Sequence, residues 1–303
     1  MPEPKFKSYR DLLDPQVLGR LSSLSFRARA VVEGFIAGMH QSPYHGFSVE
    51  FSEHRPYSPG DEIRLLDWKV FGRTDKFVVK QFQEETNLKA YLIVDASASM
   101  GFGSGKITKL QYATYLAAAL AYLMLHQRDA VGLLTFDEKP RRFYPPRSVM
   151  SYLKPLLSEL ETIEPGGKTR LGETLHELAE QIKRRGLILV FSDLFDEPDA
   201  VLSGLRHFRH DQHEVIVFHI LDPLERRFDL TGNLIFEDLE TGERLSTQAA
   251  HIRRAYQEKM EAFTSYYRKH CREHFIDYVL MDTTERYDRA LMEYLVKRKR
   301  IGG

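Results

Sequence analysis

From residue 89 onward, short apolar runs rich in β-branched residues alternate with longer stretches in which apolar residues recur at helical spacing. Such alternation is typical of a doubly wound α/β fold, in which helices cover both faces of a mostly parallel sheet. We predict strands over residues 89–94, 130–136, 187–192, 214–220 and 275–280. We predict helices between them over residues 107–127, 150–160, 171–184 and 198–208.

Two parts of the chain lie outside this alternation. Residues 234–247 contain two strand-like runs around a turn with Gly242, which predicts an inserted β-hairpin, and a long amphipathic helix over 248–274 follows. Residues 1–88 begin with polar, helix-like segments and continue into turns and short strands rich in glycine, proline and aromatic residues. Because 303 residues exceed the usual size of one domain, we predict an N-terminal accessory region over 1–88 and an α/β domain over 89–303.

The positive and negative charges of the chain are balanced. Lysine plus arginine and aspartate plus glutamate each number 43, so the formal net charge is zero. A dedicated nucleic-acid-binding protein carries a strong basic excess, and we therefore expect no nucleic-acid partner. The basic run at residues 297–300 is interpreted as the end of a helix, where the helix dipole favours cations.

Cysteine content and hydropathy bear on the cellular compartment. Cys271 is the only cysteine, which excludes an intrachain disulfide and a cysteine-based zinc cluster and favours a reducing compartment. The first residues lack the apolar segment of a signal peptide, and no apolar run reaches the roughly 20 residues that cross a bilayer. We predict a cytoplasmic protein without membrane insertion, in which Cys271 is a small buried side chain.

Oxygen-bearing side chains follow the first predicted strand directly. Asp95, Ser97 and Ser99 occupy alternate positions immediately after the apolar run that ends at Val94. Magnesium prefers oxygen ligands in near-octahedral geometry, and a carboxylate with two hydroxyls supplies about half of that shell. The alternative is an ordinary turn, because aspartate and serine favour turns by hydrogen bonding to nearby backbone groups.

Two further segments place oxygen ligands where a metal site at this position needs them. In parallel α/β sheets, ligands bind outside the carboxyl ends of the strands. Thr169 lies in a glycine-containing segment that opens a predicted helix, and Asp193 follows the strand predicted over 187–192. Together with Asp95, Ser97 and Ser99, these residues form a five-oxygen set from three loops.

This set resembles the metal-ion-dependent adhesion site of von Willebrand factor type A domains, which have a Rossmann-like fold. The resemblance implies that Asp95, Ser97, Ser99, Thr169 and Asp193 bind Mg²⁺, with Mn²⁺ or Ca²⁺ as alternatives. It implies that the serines and the threonine contact the ion directly or through water, and that the aspartates often act through water. It further implies that an acidic side chain of a protein partner fills the remaining coordination position.

A second resemblance extends beyond this domain. The segment from Arg55-Pro56-Tyr57-Ser58-Pro59-Gly60-Asp61 through Asp67-Trp68, followed by Lys80-Gln81-Phe82, is similar to the bacterial domain-of-unknown-function-58 family. Members join such a segment to a von Willebrand factor type A domain. The resemblance implies an interaction protein, not an enzyme, and a MoxR-type AAA ATPase as partner in protein complex assembly or maturation.

The same residues match the sequence motifs of known enzyme active sites poorly. A haloacid-dehalogenase-type site needs an aspartate where Ser97 stands, and the two serines lack the flanking glycines of an α/β-hydrolase elbow. A phosphate-binding loop needs glycine at Met100 and serine or threonine at Ile107. We interpret the glycines of residues 101–105 as a lip of the metal site, with a helix beginning near Thr108.

Other candidate sites remain as alternatives. His40 and His45 lie close together in sequence, but no third ligand is placed beside them, so a structural role is favoured over zinc binding. The arginine, aspartate and tryptophan of the N-terminal region, at Arg55, Asp61 and Trp68, offer a surface for a metal-independent interaction scaffold.

The sequence as a whole predicts a non-enzymatic, Mg²⁺-dependent protein–protein interaction module. The main alternative is the metal-independent scaffold, and a metal-dependent hydrolase is a more distant one. The identity of the partner and the oligomeric state stay open at this point.

Overall fold

The computed structural model describes residues 15, 23–40, 54–56, 71–73, 77–80, 88–237 and 242–301. Its strands are β1 (His54–Pro56), β2 (Val78–Lys80), β3 (Lys89–Asp95), β4 (Ala130–Phe136), β5 (Pro140–Arg147), β6 (Leu187–Ser192), β7 (Glu214–Leu221), β8 (Asn233–Glu237), β9 (Arg244–Gln248) and β10 (Asp277–Asp282). Its helices are α1 (Leu24–His40), α2 (Lys109–His126), α3 (Leu153–Thr162), α4 (Leu171–Gln181), α5 (Pro198–His210), α6 (Pro223–Arg227), α7 (Ala249–Glu273) and α8 (Asp288–Ile301).

A six-stranded sheet forms the centre of the molecule. Its strand order is β10-β7-β6-β3-β4-β5, and every neighbouring pair is parallel except the antiparallel pair of β4 with β5. The chain runs from β3 outward to β5 on one side, and from β6 outward to β10 on the other. The predicted doubly wound, mostly parallel α/β sheet is confirmed.

The central strands are apolar because both faces of the sheet are covered. All six residues of β6 are buried, and along β3 the side chains of Leu92 and Val94 enter one core while Tyr91 and Ile93 enter the other. Helices α1, α2, α3 and α8 contribute to the first core, and α4, α5 and α7 contribute to the second. The alternation along β3 follows from the two-residue period of a strand.

Most predicted boundaries lie within three residues of the observed ones, and one strand is displaced for a clear reason. The prediction for the last strand was 275–280, whereas β10 spans Asp277–Asp282. Phe275 is the reason, because its φ of 57° makes a left-handed turn after α7 and its side chain is 77% exposed. The chain therefore enters the sheet two residues later than its apolar pattern indicates.

Strand β5 was not predicted from the sequence. It forms the antiparallel edge of the sheet, contains Pro140, Pro145 and Pro146, and exposes most of its side chains. Prolines are tolerated on edge strands because one side of such a strand has no ladder partner for the missing N–H groups. Its sequence therefore resembles a loop more than a strand.

The predicted hairpin is present as the antiparallel pair of β8 with β9. The long helix α7 follows it, and Cys271 near the end of that helix is fully buried, as predicted. Helix α1 packs on α2 and α3, where the Arg27 guanidinium lies 4.5 Å from the centre of the Tyr115 ring. The division of the chain at residue 88 stays a prediction.

Several residues singled out in the N-terminal sequence lie outside the described residues. They are His45, Asp61 and Trp68, together with the side chains of His40 and Arg55. Among the helices that the structure describes, none combines the length and the apolar character that crossing a bilayer requires.

The basic run near the C-terminus lies in the last turns of α8, as expected, and two of its side chains form buried ion pairs. Lys297 Nζ lies 2.6 Å from Glu214 and 2.9 Å from Asp277. Arg298 donates to both oxygens of the fully buried Asp129 carboxylate, at 2.7 and 3.2 Å, and the Tyr294 hydroxyl donates to it at 2.9 Å. These contacts fasten α8 to the opposite end of the sheet from Asp95.

The Asp129 pair yields a test of this packing. We expect Arg298→Met to lower the free energy of unfolding by about 2 kcal/mol, because it leaves a buried carboxylate without its cation. This expected loss of stability is smaller than the usual cost of breaking a buried ion pair, because the Arg298 side chain is 27% exposed. Urea denaturation followed by circular dichroism measures the change, and the exposed Arg300→Met is the matched control. Equal stability of the two variants would contradict the structural role of Arg298.

Candidate functional site

Asp95 ends β3 in a fully buried position. Its Oδ1 accepts the Ser97 backbone N–H at 2.9 Å, and its Oδ2 accepts the Ser192 hydroxyl at 2.6 Å. The first contact closes a tight turn, which is the local conformation that aspartate favours. The second joins the carboxylate to the neighbouring strand β6. Both carboxylate oxygens are therefore oriented by the protein.

Ser97 and Ser99 lie on the turn that follows. A short 3₁₀ helix, Ala98–Gly101, folds the chain back so that the two hydroxyl oxygens lie 3.1 Å apart. Ser97 is fully buried, whereas Ser99 is partly exposed. The turn thus presents two hydroxyls toward one point, with one of them accessible from outside.

Asp193 follows β6, and β6 is the direct neighbour of β3 in the sheet. Its carboxylate is fully buried and accepts the Phe195 N–H through Oδ1 at 3.2 Å. The next residue, Leu194, has a φ of 57°, and its N–H donates to the Ser192 hydroxyl at 2.9 Å. A buried non-glycine residue in the left-handed region is strained, and such strain concentrates at functional sites.

The segment that carries Thr169 is fastened to the Asp95 turn through the backbone. The Ala98 N–H donates to the Gly167 carbonyl at 3.1 Å, and the Gly166 N–H donates to the Ala96 carbonyl at 2.9 Å. Gly167 has a φ of +73°, and a Cβ there would lie 2.9 Å from an Asp137 oxygen, so glycine is required. Thr169, which is partly exposed, follows two residues later.

Helix α4 is in turn held against the Asp193 loop. The Gly172 N–H in its first turn donates to Asp196 Oδ2 at 3.1 Å. A Cβ on Gly172 would lie 2.7 Å from the Ala200 Cβ of α5, so this close approach of the two helices requires glycine. The three loops with the predicted ligands are therefore connected by hydrogen bonds at one edge of the sheet.

Charge is unevenly compensated within the site. Burial and the nearby Asp193 carboxylate raise the pKa of Asp95 to about 7, and the hydrogen bonds from Ser192 and Ser97 oppose that rise. A buried carboxylate of this kind is stabilised either by a proton or by a neighbouring cation. The site therefore favours the approach of a positive charge to Asp95.

One cation of the protein already contacts Asp193. The Lys109 side chain is fully buried, and its ammonium donates to Asp193 Oδ2 and to Glu225 Oε1, both at 2.7 Å. Lys109 is the first residue of α2, whose capping residue is Thr108, so the predicted helix start is confirmed. Glu225 lies on the short helix α6, which follows β7.

The glycine-rich segment of residues 101–106 is held against the same region. The Ser104 N–H donates to Asp222 Oδ2 at 2.8 Å, and the Ser104 hydroxyl donates to Asp222 Oδ1 at 2.5 Å. Asp222 is also the capping residue of α6, where its N–H donates to Glu225 Oε2 at 2.9 Å. The segment interpreted as a lip is thus fastened to the loop after β7.

The sequence reading missed three side chains that shape the site. Ser192 holds Asp95, Lys109 holds Asp193, and Glu225 holds Lys109. Ser192 directly precedes Asp193 at the end of an apolar run, and this position was a usable signal. Lys109 lies at the start of an apolar helical stretch, and Glu225 directly precedes Arg226 and Arg227, so nothing in their neighbours distinguishes the two residues from surface residues.

The donor set fits a small divalent cation. Adjacent ligands of an octahedral ion at about 2.1 Å lie roughly 3.0 Å apart, and the Ser97 and Ser99 oxygens are separated by 3.1 Å. Asp193 Oδ2 is bound to Lys109, which suits an action through water better than direct coordination. Across the described ranges, no three His, Cys, Asp or Glu side chains gather as a metal site, and this set relies on hydroxyls.

Comparison with known proteins identifies the family. The sequence profile of the family described as "Protein of unknown function DUF58" matches residues 53–265. The chain belongs to the DUF58 family. The resemblance found in the sequence is thereby confirmed for the greater part of the DUF58 chain.

One relative of this DUF58 chain is the uncharacterized protein Rv1480 of Mycobacterium tuberculosis (strain ATCC 25618 / H37Rv). It is 29% identical over 235 residues, which cover 77% of this chain and 74% of the relative. The uncharacterized protein Mb1516 of Mycobacterium bovis (strain ATCC BAA-935 / AF2122/97) matches with the same values.

Solved structures similar to this DUF58 chain include the conserved hypothetical protein BatB from Bacteroides thetaiotaomicron. It has a TM-score of 0.46 at 15% identity and covers 71% of this chain and 98% of its own. An aerotolerance-related membrane protein from Bacteroides fragilis NCTC 9343 has a TM-score of 0.47 at 18% identity, covering 69% of this chain and 99% of its own. A von Willebrand factor type A protein from Catenulispora acidiphila has a TM-score of 0.34 at 12% identity, and the match covers 57% of this chain and 42% of that protein.

The Ser192 contacts yield a test of the site's architecture. We expect Ser192→Ala to lower the free energy of unfolding by about 2 kcal/mol, because Asp95 loses a buried donor and Leu194 loses its acceptor. Urea denaturation at pH 7.5 without added metal measures the change. Ser158→Ala, on the exposed side of α3, is the control and is expected to change stability by less than about 0.5 kcal/mol. A Ser192→Ala variant as stable as the control would show that the Ser192 bridge contributes nothing.

Proposed function

We propose that this chain is a non-enzymatic, Mg²⁺-dependent protein-interaction module. The DUF58 family and the von Willebrand factor type A-like fold indicate a protein-interaction module in general. The metal-binding residues in this proposal are Asp95, Ser97, Ser99, Thr169 and Asp193, with Mn²⁺ or Ca²⁺ as substitutes for Mg²⁺.

The observation that carries the proposal is the pairing of two close hydroxyls with a buried carboxylate. The Ser97 and Ser99 oxygens lie 3.1 Å apart, beside an Asp95 carboxylate whose hydrogen-bond donors within the described part of the chain are the uncharged Ser97 N–H and Ser192 hydroxyl. When bound, Mg²⁺ supplies a positive docking point for an incoming carboxylate. Ser97 and Ser99 provide neutral oxygens, so an ion bound between them keeps positive charge for an anionic ligand.

The exposed side of the site suits an acidic partner. Asp95, Ser97 and Asp193 are buried, whereas Ser99 and Thr169 are partly exposed, so a partner reaches the site from the hydroxyl side. Two basic side chains flank this side, since Lys106 and Lys168 are exposed on the adjoining segments, whereas Arg170 is paired with Glu173 at 3.1 Å. Opposite charges across an interface accelerate association and favour the correct partner.

The partner in this proposal is a protein that offers an aspartate or glutamate side chain. The family resemblance points to a MoxR-type AAA ATPase, and the proposed role of the pair is the assembly or maturation of other proteins. The proposed compartment is the cytoplasm, which suits a chain whose single cysteine is a buried thiol.

Substitution of Asp95 tests the metal dependence. We expect Asp95→Asn to weaken Mg²⁺ binding more than about tenfold, because an amide keeps the shape of the side chain but removes its charge. Isothermal titration calorimetry at pH 7.5 measures the affinity. Glu164→Gln, which neutralises an exposed carboxylate in the segment before Thr169, is the matched control and is expected to bind as the parent chain does.

Capture of the partner completes this test. The parent chain is expected to retain a MoxR-type AAA ATPase in the presence of Mg²⁺ and to release it in EDTA, whereas Asp95→Asn fails to retain it in either buffer. Retention that survives both EDTA and Asp95→Asn contradicts the metal-dependent proposal. If substitutions of Arg55, Asp61 and Trp68 then abolish retention, the N-terminal scaffold is the correct alternative.

A further inference from the structure

The Lys109 ammonium occupies a position that needs explanation. Its side chain is 0% exposed, and Nζ lies 2.7 Å from both Asp193 Oδ2 and Glu225 Oε1. The rings of Phe195 and Phe102 cover it, with centres 4.8 and 5.9 Å away. Water is therefore excluded from the pair formed with Asp193, and the ammonium depends on protein groups for compensation.

The local structure opposes a cation at this point. Lys109 begins the 18-residue helix α2, where the N-terminal end of the helix dipole repels positive charge. Burying an ammonium also carries a large desolvation penalty, which its partners must offset. Asp193 and Glu225 are the two carboxylates that offset it, so Lys109 is held in the site by charge and not by secondary structure.

The carboxylates around Lys109 outnumber the cations. Asp193 and Glu225 contact the ammonium directly, and Asp95 is close enough to Asp193 for the two charges to repel. Among the described residues, the Lys109 ammonium thus contacts two carboxylates, and Asp95 beside Asp193 adds a third negative charge to the region, which leaves an excess of negative charge for a further cation. Asp193 is shared in this arrangement, because it contacts Lys109 and belongs to the proposed metal-binding set.

We propose that Lys109 is the resident counter-ion of Asp193 and competes with a divalent cation for that carboxylate, so that Lys109 sets the cation affinity of the site. This inference rests on the proposed function only for the location of the metal-binding residues. Lys109 is a positioning residue in this scheme, since it acts on a metal through Asp193.

Glu225 makes such competition reversible. It gives Lys109 a second acceptor at the same distance as Asp193, and the Asp222 N–H fixes its other oxygen at 2.9 Å. Lys109 therefore remains paired with one carboxylate when Asp193 is drawn toward another cation. Without Glu225, release of Asp193 would leave a buried ammonium with no partner, which is strongly unfavourable.

The structure offers a charge-balanced variant that isolates this competition. Lys109→Met alone removes one positive charge and leaves two buried carboxylates uncompensated, so it is expected to destabilise the metal-free fold. The double variant Lys109→Met with Glu225→Gln removes one charge of each sign and leaves the net charge unchanged. The glutamine carbonyl still accepts the Asp222 N–H, which preserves the start of α6. Asp193 is then free of the ammonium.

The experiment compares Mg²⁺ binding by the 303-residue parent chain and by this double variant. We expect calorimetry to give at least about tenfold tighter Mg²⁺ binding in the double variant, because one charge–charge interaction at contact distance no longer has to be displaced. We also expect Mg²⁺ to raise the thermal unfolding temperature of the double variant more than that of the parent, as tighter ligand binding requires. Lys106→Met, which removes an exposed lysine from the adjacent segment, is the control.

Each outcome separates this inference from the proposed function. If the parent chain binds no Mg²⁺ and the double variant binds it, Lys109 is the counter-ion and the metal-dependent function of the parent fails. If the double variant binds Mg²⁺ no more tightly than the parent, including no binding by either, the inference is overturned. It is also overturned if Lys106→Met tightens binding as much, since any lost lysine would then suffice.

Discussion

The reversal of strand order between β3 and β6 is the constraint on which the candidate site depends. The chain leaves β3 toward one edge of the sheet and later resumes at β6 on its other side. The segment that joins α3 to α4 passes the ends of these strands, where Gly166 and Gly167 are hydrogen-bonded to the Asp95 turn. Ligands of open α/β sheets bind at such a reversal. Here it brings Asp95 and Asp193 together from positions 98 residues apart in sequence, as their numbers show (193 − 95).

Two carboxylates brought together in a buried position repel each other, and hydrogen bonds from the surrounding residues offset that repulsion. Ser192 donates to Asp95, Lys109 donates to Asp193, and backbone N–H groups from the following turns complete the shell. These contacts join β3 to β6, and they join α2 to the loop after β6 and to α6. The loops around the site are extensively connected for this reason. The same contacts thus compensate the charge of the carboxylates and hold the loops in place.

The sequence predicted the parts of this arrangement that depend on local pattern. The apolar runs identified the central strands, and Asp95, Ser97, Ser99 and Asp193 followed from their positions at strand ends. Lys109 was beyond such reasoning, because its two partners lie 84 and 116 residues away and its own neighbours form an ordinary helix start. Strand β5 was missed because its prolines and exposed side chains resemble a loop, and β10 was displaced by the left-handed turn at Phe275.

The prolines of β5 have a consequence for how this protein meets others. An open sheet edge is a template on which foreign strands assemble, and proteins that bind by surface loops must avoid accidental association there. Pro145 and Pro146 are consecutive in the outermost strand, where successive N–H groups point to opposite sides, so their missing N–H groups interrupt the strand's hydrogen-bonding pattern. Strand addition is therefore disfavoured along that side. In the proposed function, a partner is instead recognised at the carboxyl ends of the central strands, where selectivity comes from side-chain chemistry and not from backbone pairing.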